Sequence, residues 1–191
     1  PNFKDAANIY LYDKSKFLKK LQKKNINNSK VKWVKDFKNI KGGPVIFFGN
    51  EFFDAIPVKQ FKKLKGSYLE KNYTLDKNFK IKEVFKKTSN ENLRIIKSFK
   101  TLKNLKFIEL PKIGFSELEK IIKKIKKLKG CLLLIDYGYL KPKDQNTLQS
   151  VINHKKNNLF TNLGNADITT HVNFALLNEF FSNNNLKVKN V

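Results

Sequence analysis

Alternating strand and helix patterns along most of these 191 residues predict an α/β fold: an open, mostly parallel sheet with helices on both faces. Two further observations support that class. Short apolar runs stop abruptly at a polar residue, at Asp13, Asn50 and Asp136, as strands do at the carboxyl edge of such a sheet. Between them, apolar residues recur at helical spacing behind polar starts.

Taken in order, Ile9-Tyr10-Leu11-Tyr12 is a first strand ending at Asp13. A helix follows, with Ser15 near its start and Phe17, Leu18 and Leu21 on one face. Val31-Lys32-Trp33-Val34 gives a second strand. Gly42-Gly43-Pro44 breaks the chain, and Val45-Ile46-Phe47-Phe48 reads as a fully buried strand leading to Gly49-Asn50-Glu51.

From about residue 60 to 110 the pattern changes. Residues 67–73 and 79–85 read as an antiparallel pair turning at Asp76-Lys77-Asn78, and 86–104 as a polar, poorly patterned and partly mobile stretch. This is an inserted hairpin and variable region within one partial domain over residues 1–191. Alternation returns with the capping box Ser116-x-x-Glu119, the stripe Leu118, Ile121, Ile122, Ile125 and Leu128, and a stop at Gly130. Residues 131–135 make another buried strand, so Cys131 is expected as a buried structural thiol. After a polar loop, residues 173–181 give a last helix with Phe174, Leu177 and Phe181 on one side.

Composition narrows the function classes. With 40% hydrophobic residues and 17 Phe the chain is no disordered tail, and no apolar run approaches the ~20 residues of a membrane span. A single cysteine excludes an intrachain disulfide framework, and two histidines without ligand spacing give no metal site. The formal charge of +24 raises nucleic-acid binding, yet the cations are almost all lysine, dispersed, with Arg94 the only arginine. Arginine's bidentate fork for guanine and phosphate is nearly absent, so nucleic acid is not the expected partner. A start at Pro1 and the absence of Met suggest part of a longer protein.

Asp13, Asn50 and Asp136 follow strands, and ligands of open α/β sheets bind beyond strand carboxyl ends, so the three are expected at one site. Asp13 fits the acid that accepts hydrogen bonds from a nucleoside's ribose hydroxyls, or else it caps the following helix. That acid lies ~20 residues after a glycine-rich turn. No glycine precedes Asp13, which places the first strand and glycine loop upstream of Pro1.

The segment Asn50-Glu51-Phe52-Phe53-Asp54-Ala55-Ile56-Pro57-Val58 resembles the signature of the MidA-like class I methyltransferases. Leu134-Ile135-Asp136-Tyr137-Gly138-Tyr139, Thr147-Leu148-Gln149 with His154, and the run from Asp167 to Phe174 follow in the family's order. Asp13-Lys14-Ser15 with Leu18 and Gln22 also resembles the family's pattern, with Asp where Glu is usual. The resemblance implies a Rossmann-like sheet and S-adenosyl-L-methionine as cofactor, bound through Asp13, Asn50 and Glu51. It also implies methyl transfer to a protein arginine, in mitochondrial members on a respiratory complex I subunit. The setting implied is the bacterial cytoplasm, or the mitochondrial matrix in a eukaryote.

Within that frame Glu51 and Asp54, spaced i, i+3 on a helical turn, grip the substrate guanidinium, or else Asp54 caps a helix and Glu51 pairs with a lysine. Asn50 stands beside the reacting groups, and Asp136 and Tyr137 close the same pocket, with Tyr137 against substrate. Gly138 permits a tight turn there. His171 is either a general base or a loop-orienting residue in a polar cluster with Asp167 and Thr169. Two rival readings are a non-catalytic assembly or chaperone domain and a basic nucleic-acid module.

Overall fold

The computed structural model describes residues 2–190. Its helices are α1 (Phe3–Ala6), α2 (Lys16–Asn25), α3 (Asn90–Ser98), α4 (Lys112–Leu128) and α5 (Phe174–Asn183). Its strands are β1 (Ile9–Tyr12), β2 (Val31–Val34), β3 (Val45–Asn50), β4 (Lys59–Leu64), β5 (Ser67–Leu75), β6 (Ile81–Lys87) and β7 (Phe107–Leu110). Then come β8 (Gly130–Ile135), β9 (Gly138–Tyr139), β10 (Gln149–Ile152), β11 (Lys155–Asn157), β12 (Asp167–Thr169) and β13 (Val172–Asn173). The chain divides into two units, Pro1–Phe47 with Lys120–Leu132, and Phe48–Glu119 with Leu133–Val191. No helix among the described residues is long and apolar enough to cross a membrane.

The first unit starts from β1 and β2, which pair in parallel from Ile9↔Val31 to Tyr12↔Val34. Parallel neighbours need a crossover, and α2 supplies it. Ser15 caps α2, its hydroxyl accepting from Leu18 N–H at 3.1 Å, as the sequence predicts. The predicted apolar face of α2 remains open: Phe17 is 69% exposed, and Leu18 and Leu21 are exposed too. The core of this unit is Val34, Phe37 and Ile40 with Ile121, Ile122 and Ile125 of α4. Phe37 lies 4.6 Å from Tyr12 and 5.3 Å from Phe47, centroid to centroid.

In the second unit, β6-β5-β4-β7 form a four-stranded antiparallel sheet. The predicted hairpin is its β5–β6 edge, running from Leu69↔Lys87 to Leu75↔Ile81, and Asp76 caps the turn through Asn78 N–H and Lys80 N–H. Residues 86–104 depart from expectation. Ser89 caps α3 through Asn92 N–H, and Ile96, Phe99 and Leu102 are buried. Lys97, Ser98, Lys100 and Thr101 between those residues mask a stripe that only packing reveals. Phe115 stacks on Phe180 at 4.4 Å with planes 4° apart, and Phe99 lies 5.3 Å from Phe115. Asn173 caps α5, which buries Leu177 as expected but Leu176 and Phe180 in place of Phe174 and Phe181.

β3 and β8 are hydrogen-bonded neighbours running in the same direction, with Val45 N–H on Lys129 O and Glu51 N–H on Ile135 O. β9 and β13 also pair in parallel. The architecture is mixed α/β and Rossmann-like, with parallel pairs beside an antiparallel sheet.

Three local expectations are corrected. β3 and β8 are not fully buried, because alternate residues face out, with Ile46 67% and Phe48 65% exposed. On the same pattern Cys131 is exposed, not buried, since a strand covered on one face alone exposes every second residue. α4 begins at Lys112 instead of near Ser116, as Phe115 N–H already bonds Pro111 O. At its other end Lys129, with φ 54°, takes the left-handed position expected of Gly130. Gly130 serves another purpose: a Cβ there would sit 1.9 Å from Val45 O.

Candidate functional site

The paired strands β3 and β8 end in the second unit, β3 at Asn50 and β8 at Ile135, just before Asp136. Glu51 then turns the chain with φ 46°, a left-handed conformation uncommon outside glycine. The segment from Glu51 to Ile56 is bends and a turn, closed by Ile56 N–H on Phe53 O, and not the helical turn expected. Glu51 and Asp54 therefore share a loop rather than a helix face.

Asp136 holds this loop. Its Oδ2 accepts from Phe53 N–H at 2.8 Å and from Asp54 N–H at 3.1 Å, and its Oδ1 accepts from Tyr137 N–H at 2.8 Å. From the other side, Thr170 N–H donates to Asp54 O at 3.0 Å. Phe53 is buried beneath the loop against Gly114, where a Cβ would lie 2.5 Å from the ring. Gly138 is needed for close approach, since a Cβ there would meet Val172 O at 2.2 Å.

The electrostatics follow from this backbone arrangement. Partial burial, then Asp136, with Glu51 and Asp167 adding to it, raise the pKa of Asp54 above the ordinary carboxylate value; Ala55 N–H opposes them. Among the described residues, no ion pair engages Glu51, Asp54, Asp136 or Asp167, although lysine and arginine total 40 against 16 acids. Asn50, Glu51 and Tyr137 are exposed and present side chains free of hydrogen bonds among the described residues. His171 is exposed as well. Its backbone N–H donates to Thr147 Oγ1 at 3.0 Å, and among the described residues its imidazole makes no hydrogen bond.

A second set of residues underlies the loop and was not anticipated. Glu109, only 8% exposed, accepts from Gln60 Nε2 at 2.9 Å, Thr147 N–H at 3.0 Å, Leu148 N–H at 3.2 Å and the Thr147 hydroxyl. The sequence signal was a lone acid inside the apolar run Phe107-Ile108-Glu109-Leu110. A cavity of about 20 Å³, room for about one water, is lined by Phe53, Glu109, Tyr139, His171, Asn173 and others. Burial, with Glu109 adding to it, pushes the Tyr139 phenol up to about 12, against the Asn173 hydrogen bond.

Asp13 belongs to the first unit, at the end of β1. Its Oδ1 accepts from Ser15 N–H at 2.8 Å and its Oδ2 from Gln22 Nε2 at 2.9 Å. The cap of α2 is Ser15, so Asp13 is not its cap. His154 is exposed in the turn between β10 and β11.

Comparison with known proteins gives one family. The family described as "Putative S-adenosyl-L-methionine-dependent methyltransferase" matches residues 1–191. A Caenorhabditis elegans protein, named as a mitochondrial protein arginine methyltransferase NDUFAF7 homolog, is 30% identical over 149 residues, 76% of this chain and 34% of that protein. The mitochondrial protein arginine methyltransferase NDUFAF7 of Xenopus laevis is 27% identical over 146 residues, 76% of this chain and 33% of its own length. The chain thus spans about one third of these curated relatives.

A Burkholderia thailandensis crystal structure with bound S-adenosyl-homocysteine shares the fold, at TM-score 0.70 and 18% identity, covering 93% of this chain and 48% of that one. A native crystal structure from the same organism gives TM-score 0.72 at 18% identity, covering 93% and 50%.

Proposed function

We propose that this chain, which belongs to the S-adenosyl-L-methionine-dependent methyltransferase family, binds that cofactor through Asp13 and a protein arginine through its acidic loop. The chemistry of Asp13 fits a ribose. A carboxylate offers about four acceptor sites, two on each oxygen. Ser15 and Gln22 occupy one on each, leaving one on each for two adjacent hydroxyls. When bound, the cofactor supplies a methyl group carried on a cationic sulfur.

The observation that carries the arginine reading is a cluster of acids, Glu51, Asp54, Asp136 and Asp167, that no ion pair among the described residues engages in a chain of charge +24. Among the described residues no lysine pairs with these acids, which leaves the loop's negative charge for a cation from outside. Carboxylates that bind two guanidinium nitrogens orient the third and keep lone-pair density on it. Glu51 and Asp54 are the residues for that role, and a guanidinium beside Asp54 favours its ionised form. Asp136 has its Oδ2 committed to two backbone N–H groups, which makes it the loop's anchor. Asn50 and Tyr137 flank the loop as further contacts to ligand. His171 stands at the same loop cluster, where its imidazole can accept the proton that the arginine loses on methylation. The names of the mitochondrial relatives support a protein arginine as acceptor, and the family resemblance suggests a complex I subunit.

Single-turnover methyl transfer to an arginine-containing peptide tests this, beside calorimetric binding of the same peptide. Glu51→Gln and Asp54→Asn should each weaken peptide binding and lower transfer by about 2–4 kcal/mol of transition-state stabilisation, roughly 30- to 1000-fold. Unchanged binding and rate in both variants would move the cation site away from this loop.

A further inference from the structure

Trp33 Nε1 donates to Gln22 Oε1 at 3.0 Å, and Gln22 Nε2 donates to Asp13 Oδ2 at 2.9 Å. An indole N–H can only donate, so the Gln22 amide has a single consistent orientation, oxygen toward Trp33 and NH₂ toward Asp13. Trp33 is itself fixed, paired with Leu11 in the register of β2 on β1. Lys23 Nζ stands 5.8 Å from its ring centroid. With Ser15 N–H on the other oxygen, the Asp13 carboxylate is anchored at both atoms from α2 and its cap.

We propose that Gln22 and Trp33 are positioning residues for nucleoside binding: Trp33 fixes the Gln22 amide, and Gln22 fixes the Asp13 carboxylate for a ribose cis-diol. The assignment rests on the cofactor reading of Asp13 given above. A freely rotating carboxylate must be ordered when ligand arrives, and that cost weakens binding; one held by two donors is ordered beforehand. The carboxylate is then selective for two hydroxyls, because a site built to bond a hydroxyl discriminates against the analogue lacking it.

The chain has one tryptophan, so its indole N–H gives a single nitrogen-15 resonance that reports the network. Asp13→Ala should shift that resonance although Asp13 does not touch the indole; an unmoved resonance overturns the relay. The ligand arm uses S-adenosyl-homocysteine and its 2′-deoxy counterpart, by calorimetry on the full chain. Gln22→Glu keeps the side chain's size and its acceptor for Trp33 but turns the donor toward Asp13 into a second carboxylate oxygen that repels it. Gln22→Glu and Trp33→Phe should weaken S-adenosyl-homocysteine by about 3- to 10-fold, Gln22→Glu the more, as expected for one hydrogen bond. Both should also narrow the preference for ribose over deoxyribose, whereas a merely structural role would weaken the two ligands alike and lower the melting temperature.

If Asp13→Ala loses binding while Gln22→Glu and Trp33→Phe bind as the unmodified chain does, the positioning role fails and the ribose role of Asp13 stands. Undiminished binding by Asp13→Ala overturns the ribose role and the positioning role with it.

Discussion

Glu109 and Asp54 lie in the same unit, and neither is ion-paired among the described residues, yet their surroundings are opposite. Glu109 is buried and met by backbone, amide and hydroxyl donors from Gln60, Thr147 and Leu148. Asp54 is half-buried, has Ala55 N–H for a donor, and faces Asp136, Glu51 and Asp167. A buried charge surrounded by donors stabilises the fold that supplies them. A carboxylate surrounded by other carboxylates does the reverse, an arrangement that clusters at functional sites. Asp136 stands between the two cases, since it adds to the negative cluster but also holds the loop through backbone N–H groups.

That contrast can be broken by substitution, read by urea unfolding. The largest effect is expected for Glu109→Ala, which strands the N–H and hydroxyl of Thr147 and one amide hydrogen of Gln60, while Leu148 N–H keeps Asn146 Oδ1. At about 1–3 kcal/mol for each buried group left unpaired, a loss of roughly 3 kcal/mol or more should follow. A loss below about 1 kcal/mol would mean that water replaces the carboxylate and that Glu109 is no anchor.

Asp136→Ala comes next, with an expected loss of roughly 1.5–3 kcal/mol, because its partners lie at an accessible loop where solvent recovers part of the bonding. Faster hydrogen exchange at Phe53 and Asp54 should accompany it. Exchange as slow as in the unmodified chain would show that Thr170 alone holds the loop.

Asp54→Asn is expected to have the smallest effect and the opposite sign. A carboxyl whose pKa rises on folding contributes stability that is full below its unfolded value of 3.8 and is lost as pH rises through the raised value. At neutral pH the ionised side chain therefore opposes folding, and the amide should raise the urea midpoint slightly. The gain should fade as pH falls below 3.8. A midpoint that drops at neutral pH would place Asp54 with Glu109 among the structural acids, despite its neighbours.

Much of the local structure was legible because it follows from side-chain period. The apolar runs at Ile9, Val31, Val45 and Cys131 are strands, Ser15 is a cap, and Asp76 makes the hairpin turn. The loop residues Asn50, Glu51, Asp54, Asp136 and His171 were legible through the order of their motifs, and the structure brings them into one unit. α3 was hidden because its stripe of Leu93 and Ile96, continued by Phe99 at its C-cap, is interrupted by Arg94, Lys97 and Ser98. Glu109 was hidden because its partners are 38 or more residues away in sequence.

The sequence by itself determined where strands and helices form and which polar residues end them, since period and capping act within a few residues of chain. Only the tertiary structure decided which faces stay open and what each carboxylate meets. Apolar runs at β3 and β8 look alike whether one face or two are covered, so the exposure of Ile46, Phe48 and Cys131 could not be read from them. Donors and like charges likewise reach Glu109, Asp136 and Asp54 through long-range contacts, and the electrostatic role of a carboxylate is set by those neighbours rather than by the residue.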